Sequence, residues 1–581
     1  MMKKLMAALL ALTLLVVSGC GKSGGYTIHD MNEITTDAQK EFDTLQKQWF
    51  IEDMESDYLN LHFSLEDPAA MGVTVPEVSL GEVFSDPEDT TYTDRLAKLA
   101  EIDPSQLTED QQIAYQCMEF DYQLSQQLLE VQTDYTFAFT PNSGLNNNLI
   151  TNFTEFDLRS EQDAADLITL VEDSGRVMDE GIAYTREQAA QGIVQPDSVI
   201  EAVQEQCRRF IANTDDNQVI TIYNSRIDEL NLANAQDYKD RMAAAVTGTL
   251  IPAYQRIIDM YDELKGTAVK SGLMADYGAD AVSEYELIVR SKTSCSESVA
   301  ELESELERAI EDALNRFIEN SDVTETDDYG YSDPYDILDH IKKKMADDFP
   351  TIPDVSYTID YLDPSVTSDN VSAYYLIAPY DNLKENVIKV NPTFVESDPN
   401  GLCITLGHEG YPGHLFAHTY YFSNHHDDEI RYSLSFLGYG EGWAEYTENL
   451  AYGYFLSDAK EVLFEQAYNC FSYYLYAYCD LRMHHDGWGV AELTDYLGNY
   501  FQGTYAGMYA ESIYDTNLGD PGLFLPYGVG MLKMNQLHDQ AASALGKKFD
   551  LKEYNTVVLD TGEAPFDVLQ QRVDDYLAAA Q

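Results

Sequence analysis

The chain has 581 residues, with 35 Lys+Arg against 101 Asp+Glu for a formal net charge of −66, and it is 44% hydrophobic and 12% aromatic, with 42 tyrosines. That aromatic content excludes an intrinsically disordered chain, and the length admits a large interior. The acidic balance excludes nucleic acid as a partner, because phosphate binding needs basic patches.

In chain order, Lys3 and Lys4 precede an apolar stretch from Leu5 to Val17, followed by Val17-Ser18-Gly19-Cys20. The apolar run is too short to span a membrane comfortably and has the form of a secretory signal. Small residues before a cysteine resemble the lipobox of bacterial lipoproteins. That resemblance implies a signal peptide over 1–19, Cys20 as the lipidated first residue, and a lipidated tether over 20–35. The mature chain is then expected as a cell-membrane lipoprotein on the extracytoplasmic face. Cys117, Cys207, Cys295, Cys403, Cys470 and Cys479 are scattered without CxxC or zinc-finger spacing, which predicts buried free thiols more than a disulfide framework.

Apolar residues at helical spacing predict helices over 37–55, 109–131, 161–193 and 198–211. Ser298-Val299-Ala300-Glu301 is a capping-box pattern that opens a further amphipathic helix to Phe317. Val355, Tyr357, Ile359 and Tyr361 alternate as in a half-buried strand, and 372–379 and 387–390 are further short strands. Breaks near 322–335 and 349–354 divide a helical N-terminal half, 36–320, from a catalytic half, 321–581.

The chemistry-bearing stretch follows the sheet: His408-Glu409-Gly410-Tyr411-Pro412-Gly413-His414. Zinc hydrolases place two histidines at i and i+4, about 400° of helix turn, so that both face one metal. His408 and His414 are six apart, about 600°, and a straight helix would oppose them. Pro412-Gly413 predicts a break that returns His414 to the metal side. The alternative pairs His414 with His418 at i,i+4 and leaves His408 a bystander. Downstream, Glu441 and Glu445 share one helix face within Gly438-Tyr439-Gly440-Glu441-Gly442-Trp443-Ala444-Glu445. One carboxylate of such a pair can bind metal while the other hydrogen-bonds a ligand histidine; a solvated acidic face is the bland alternative. The consecutive run His425-His426-Asp427-Asp428-Glu429 reads as an exposed loop.

His-Glu-x-x-Pro-Gly-His followed by Glu-Gly-Trp-Ala-x-Tyr resembles the bacterial family catalogued as domain of unknown function 885, which is similar in fold to the helical zincins of the gluzincin group. The resemblance implies a mainly α, zincin-like fold with a small β-sheet next to the active-site helix. It implies Zn2+ held by His408, His414 and Glu441, with Glu409 as general base and Glu445 behind the ligands. Pro526-Tyr527-Gly528-Val529-Gly530 with Lys533 resembles the family's Tyr-x-x-Gly-x-x-Lys segment, and Tyr527 can stabilise an oxyanion or be a packing tyrosine. Asp480 to Trp488 resembles another family block, in which His484-His485 reads as structural. The expected function is zinc-dependent hydrolysis, foremost of peptide bonds outside the cytoplasm. A non-peptide amidase or esterase and an inactive solute-binding lipoprotein are the alternatives. Arg431, Arg482 and Lys533 are candidate cations for a substrate carboxylate, and the 387–390 strand is a candidate edge for an extended peptide. The expected partners are a peptide substrate and, through the lipid anchor, the membrane; no protein partner is expected.

Overall fold

The computed structural model describes residues 36–580 apart from 85, 87, 132–134, 213, 215 and 363–370. The signal peptide and Cys20 lie outside the described residues. The predicted helices form: α1 (Asp37–Ser56), α2 (Glu109–Glu130), α3 (Glu161–Ala190) and α4 (Val299–Glu319). Each starts where a side chain can satisfy the free N–H groups of a first turn. Thr36, Thr108 and Ser298 close full capping boxes with Gln39, Gln111 and Glu301, while Ser160 caps α3 alone.

Two hydrophobic cores result. One gathers the inner faces of helices between 139 and 261, with Phe153, Ile168, Val203 and Ile257 fully or almost fully buried. The other unites α1, α2 and α4 with the C-terminal part of the chain, from Ile337 to Leu577. Residues on both sides of position 320 therefore share one interior. The six cysteines at 117 and beyond are free thiols.

The sheet has three strands, β1 (Ser356–Tyr361), β2 (Ala373–Leu376) and β3 (Glu385–Val390), in the order β1-β3-β2. β3 runs parallel to β1, with Ile359 opposite Ile388, and antiparallel to β2, with Tyr375 opposite Ile388. This corrects the expectation for 387–390. Ile388 and Val390 are fully buried, both sides of β3 are already paired, and an added strand has no place there. β1 and β2 are the two edge strands of the sheet.

After the sheet come α5 (Pro399–Glu409), α6 (His414–Asn424), α7 (Leu437–Phe455), α8 (Ala459–His484), α9 (Leu525–Leu545) and α10 (Leu551–Thr561). α4 lies along α8, and α7 packs along α9. No described helix is long and apolar enough to cross a membrane.

Candidate metal centre

The six-residue histidine spacing is resolved by a change of helix. α5 ends at Glu409, and α6 begins at His414. Between them the chain folds tightly over the end of α5: Gly413 N–H donates to the Gly407 carbonyl at 3.0 Å, and Phe416 N–H to the Gly410 carbonyl at 3.1 Å. A Cβ on Gly413 would collide with the His408 carbonyl oxygen, so only glycine passes there. Trp443 of α7 holds the turn by donating its indole N–H to the Pro412 carbonyl at 3.1 Å.

The two imidazoles then meet, with ring centroids 4.9 Å apart. Glu441 Oε2 lies 3.5 Å from Nε2 of each histidine, and the three ligand atoms fall within 4.8 Å of one another. Ligand atoms sharing one tetrahedral ion at about 2.0–2.2 Å sit roughly 3.3–3.5 Å apart. His408 Nε2 and Glu441 Oε2 are buried with no hydrogen-bond partner, a costly state that a bound cation would relieve. The set therefore fits a metal ion of the nitrogen–oxygen class that includes zinc.

Electrostatics agree. Burial pulls the His408 pKa down, but the carboxylates of Glu441, Glu448, Glu409 and Glu445 outweigh it and raise it well above the ordinary histidine value. Burial pushes Glu441 up, and His414 with His408 overcomes it and brings the carboxyl down to about 2. Burial raises Glu409 and Glu445. Four carboxylates against two imidazoles leave an excess of buried negative charge, which a divalent cation would balance.

Glu445 is fully buried, 3.8 Å from His408 Nδ1, and accepts the Asn469 side-chain N–H at 3.1 Å. Glu448 approaches the same Nδ1 more closely, at 3.2 Å. Its role was legible only in part: Glu441, Glu445 and Glu448 are a 4-then-3 series on one helix face, and the third member has no glycine or tryptophan flank to mark it. Glu409 lies beside the triad, with Oε1 4.0 Å from His408 Nε2, while its Oε2 accepts the Tyr375 backbone N–H of β2 at 2.9 Å. Tyr527 is buried close to Glu441, and its pKa is raised well above the ordinary tyrosine value, by burial first and then by the surrounding carboxylates.

Glycine contacts bring Glu441 and Tyr527 together. A Cβ on Gly442 or on Gly530 would strike the backbone of the other residue, and one on Gly530 would also strike the Gly438 carbonyl oxygen. α7 and α9 thus cross with backbones touching. Gly530→Ala is expected to wedge the crossing apart, costing about 2 kcal/mol or more and lowering metal content together with the melting temperature. Unchanged melting and metal binding would show that the crossing tolerates a methyl group.

The family described as bacterial protein of unknown function (DUF885) matches residues 82–573. The chain belongs to the DUF885 family. Among solved structures it is similar to a protein described as a "putative lipoprotein" from Colwellia psychrerythraea, at 18% identity over 93% of this chain and 99% of that one, with a TM-score of 0.75. It is also similar to a protein from Shewanella oneidensis with the same description and of unknown function, at 15% identity over 91% and 99%, with a TM-score of 0.57. These likenesses establish a shared fold. No curated protein matches the chain.

Other residues singled out in this DUF885 sequence stand apart from the triad. His418 does not join a ligand group with His414; its ring packs between Tyr375, Phe422 and Tyr432, and burial lowers its pKa to about 3. Lys533 is paired with Glu297 at 2.5 Å and Glu305 at 2.9 Å. Arg482 is paired with Glu303 at 3.0 Å and Asp486 at 2.7 Å and lies over Trp488. Both cations are already neutralised, which removes them as receptors for a substrate carboxylate. His484 is a core residue, its Nε2 3.0 Å from the Asn517 carbonyl and its Nδ1 accepting the Met274 N–H at 3.4 Å. His425 and His426 lie in a turn at the surface, outside any group of converging ligands among the described residues.

Proposed function

We propose that this chain is a zinc-dependent hydrolase that cleaves peptide bonds outside the cytoplasm from a lipid anchor at Cys20. The observation that carries the reading is one juxtaposition: a His-His-Glu triad, a glutamate beside it, and an edge strand, β2, whose Tyr375 N–H meets that glutamate. Tyr375 N–H points to Glu409, so it points away from β3, and in an antiparallel pair the Tyr375 carbonyl shares that direction. A substrate main chain lying along β2 would pass Glu409. A small non-peptide amide has no use for such an edge.

His408, His414 and Glu441 would hold the zinc, which when bound supplies Lewis acidity toward the carbonyl and a lowered water pKa. Glu409 takes the proton from the attacking water and returns it to the leaving amine nitrogen. Its burial and raised pKa suit a group that must hold a proton between those two steps. Tyr527 remains protonated and can donate to the developing oxyanion. Glu445 and Glu448 orient His408 through Nδ1.

The anchor reading is supported by the charge, length and cysteine position of the N-terminus, and by the lipoprotein description of the two solved relatives. The activity is tested with the mature chain on a mixed peptide library. Cleavage is expected with zinc, lost after chelation, and restored by adding zinc back. Cleavage that is indifferent to chelation, or none in any metal-loaded sample, would overturn the reading.

A further inference from the structure

A cavity of about 70 Å³ opens beside His414. Its walls are mostly apolar and aromatic, with Ile377, Phe422, Tyr432, Trp443 and Leu559 among them, and Glu563 lies on its rim. Ile377 directly follows β2, so the cavity begins where a chain running along that strand would place a side chain beyond the scissile bond. His414, 22% exposed at its side chain against 6% for His408, is the ligand that faces it.

Glu563 is held there by a rigid support. Arg431, only 4% exposed, donates Nη2 to the backbone carbonyls of Thr561, at 3.0 Å, and of Glu563. Its guanidinium lies over the Tyr421 ring, and Nε and Nη1 are buried from solvent. Arg431 therefore grips the loop; it also lines the cavity, with its Nη1 3.9 Å from the Asp428 carboxylate. Gly562, at φ +66°, presses on the Tyr421 ring where a Cβ would collide. The nearby His414 and the Phe436 backbone N–H favour the charged form of the Glu563 carboxylate, which forms no salt bridge with a described residue. It hangs over α7 one residue before Glu441: a Cβ on Gly440 would lie 3.2 Å from Glu563 Oε1. Glu563 is an exposed residue at the rim, although burial of its carboxyl group raises its pKa, while its supports are buried.

The structure assigns to this cavity the role of a substrate-side-chain subsite, and to Glu563 the selection of a cationic group, an ammonium or guanidinium, next to the scissile bond. An aliphatic stem would lie on the apolar walls with its charge at the carboxylate, and the aromatic walls favour a cation further. The net charge of −66 acts in the same direction, because an acidic surface concentrates cationic peptides. The assignment rests on the hydrolytic reading only for which bond is cut; the recognition is a binding property.

The test is therefore made on binding. Zinc-loaded wild type and Glu563→Gln are titrated with N-acetylated peptides that differ at one position, lysine, arginine, norleucine or glutamate, and with the norleucine peptide carrying a free N-terminus. Trp443, in the cavity wall, is the fluorescence reporter. Gln keeps an acceptor for Phe436 N–H, so the loop is retained. Wild type is expected to bind the lysine and arginine peptides about 10- to 100-fold more tightly than the norleucine peptide, and Glu563→Gln to erase that difference while holding norleucine binding within about threefold. Glu563→Lys, which a merely structural role would not predict, is expected to shift preference to the glutamate peptide. Tighter binding of the free-N-terminus norleucine peptide alone, erased by Glu563→Gln, would place the cation at the peptide N-terminus within the same assignment. Equal binding of all peptides by wild type, or equal losses on all of them in Glu563→Gln, would overturn it. Binding selectivity without any cleavage would leave this assignment standing and sink the peptidase reading instead.

Discussion

Glu409→Gln is expected to lower peptide hydrolysis by about 10²- to 10⁴-fold while leaving zinc content unchanged. Gln has nearly the shape of Glu and offers an oxygen to the Tyr375 N–H that now donates to Glu409 Oε2 at 2.9 Å, so β2 and the end of α5 keep their relation. It cannot take a proton from water. Glu409 is not one of the three converging ligands, and its nearer oxygen is 4.0 Å from His408 Nε2, so the ion is not expected to depend on it. Metal analysis after dialysis and turnover on the best library peptide separate the two properties. Unchanged turnover would remove Glu409 as the base, and lost zinc would make it a ligand.

His408→Ala or Glu441→Ala is expected to reduce bound zinc from about one per chain to about none after dialysis. Each variant leaves two of the three groups that converge within 4.8 Å, and a divalent ion held by two side chains exchanges readily with water. Added zinc should raise the melting temperature of wild type through preferential binding to the folded state and leave both variants unmoved. Glu441→Ala also removes a carboxylate that His414 and His408 hold well below its ordinary pKa, so its metal-free melting temperature is expected below that of metal-free wild type near neutral pH. Retention of zinc by both variants would sink the ligand set. Glu448→Gln marks the next shell: its carboxylate stands 3.2 Å from His408 Nδ1, and losing that orientation is expected to weaken zinc affinity by about 10- to 100-fold without abolishing it.

The parts of this fold that were legible in the sequence are those set by local rules. Thr36, Thr108 and Ser298 announce helix starts, because a hydroxyl followed three residues later by Gln or Glu satisfies two first-turn N–H groups. The strand alternation at 355–361 was readable from period alone. The order of the sheet was not: nothing near residue 388 says that residues 359 and 375 flank it, because strand pairing is a long-range choice.

The same division runs through the site. Pro412-Gly413 told of a break between the histidines, and chain chemistry alone makes it, since neither residue supports a helix interior. Where His414 goes after the break was decided by α7, through Trp443 on the Pro412 carbonyl. The charges of Lys533 and Arg482 were visible, and so was the i,i+4 spacing of Arg482 and Asp486, but their pairing with Glu297, Glu305 and Glu303 was not, because those carboxylates come from α4 and the turn before it, brought alongside only by packing. Glu563 was not singled out at all, being 149 positions from His414 and one of 101 acidic residues. By itself the sequence determined which residues have ligand chemistry and where helices start and stop, since both depend on neighbours within a turn or two. The tertiary structure alone decided which acidic groups face the triad, which cations are already paired and which strands lie at the edges of the sheet, because those depend on contacts whose cost and reward are settled only when distant segments pack.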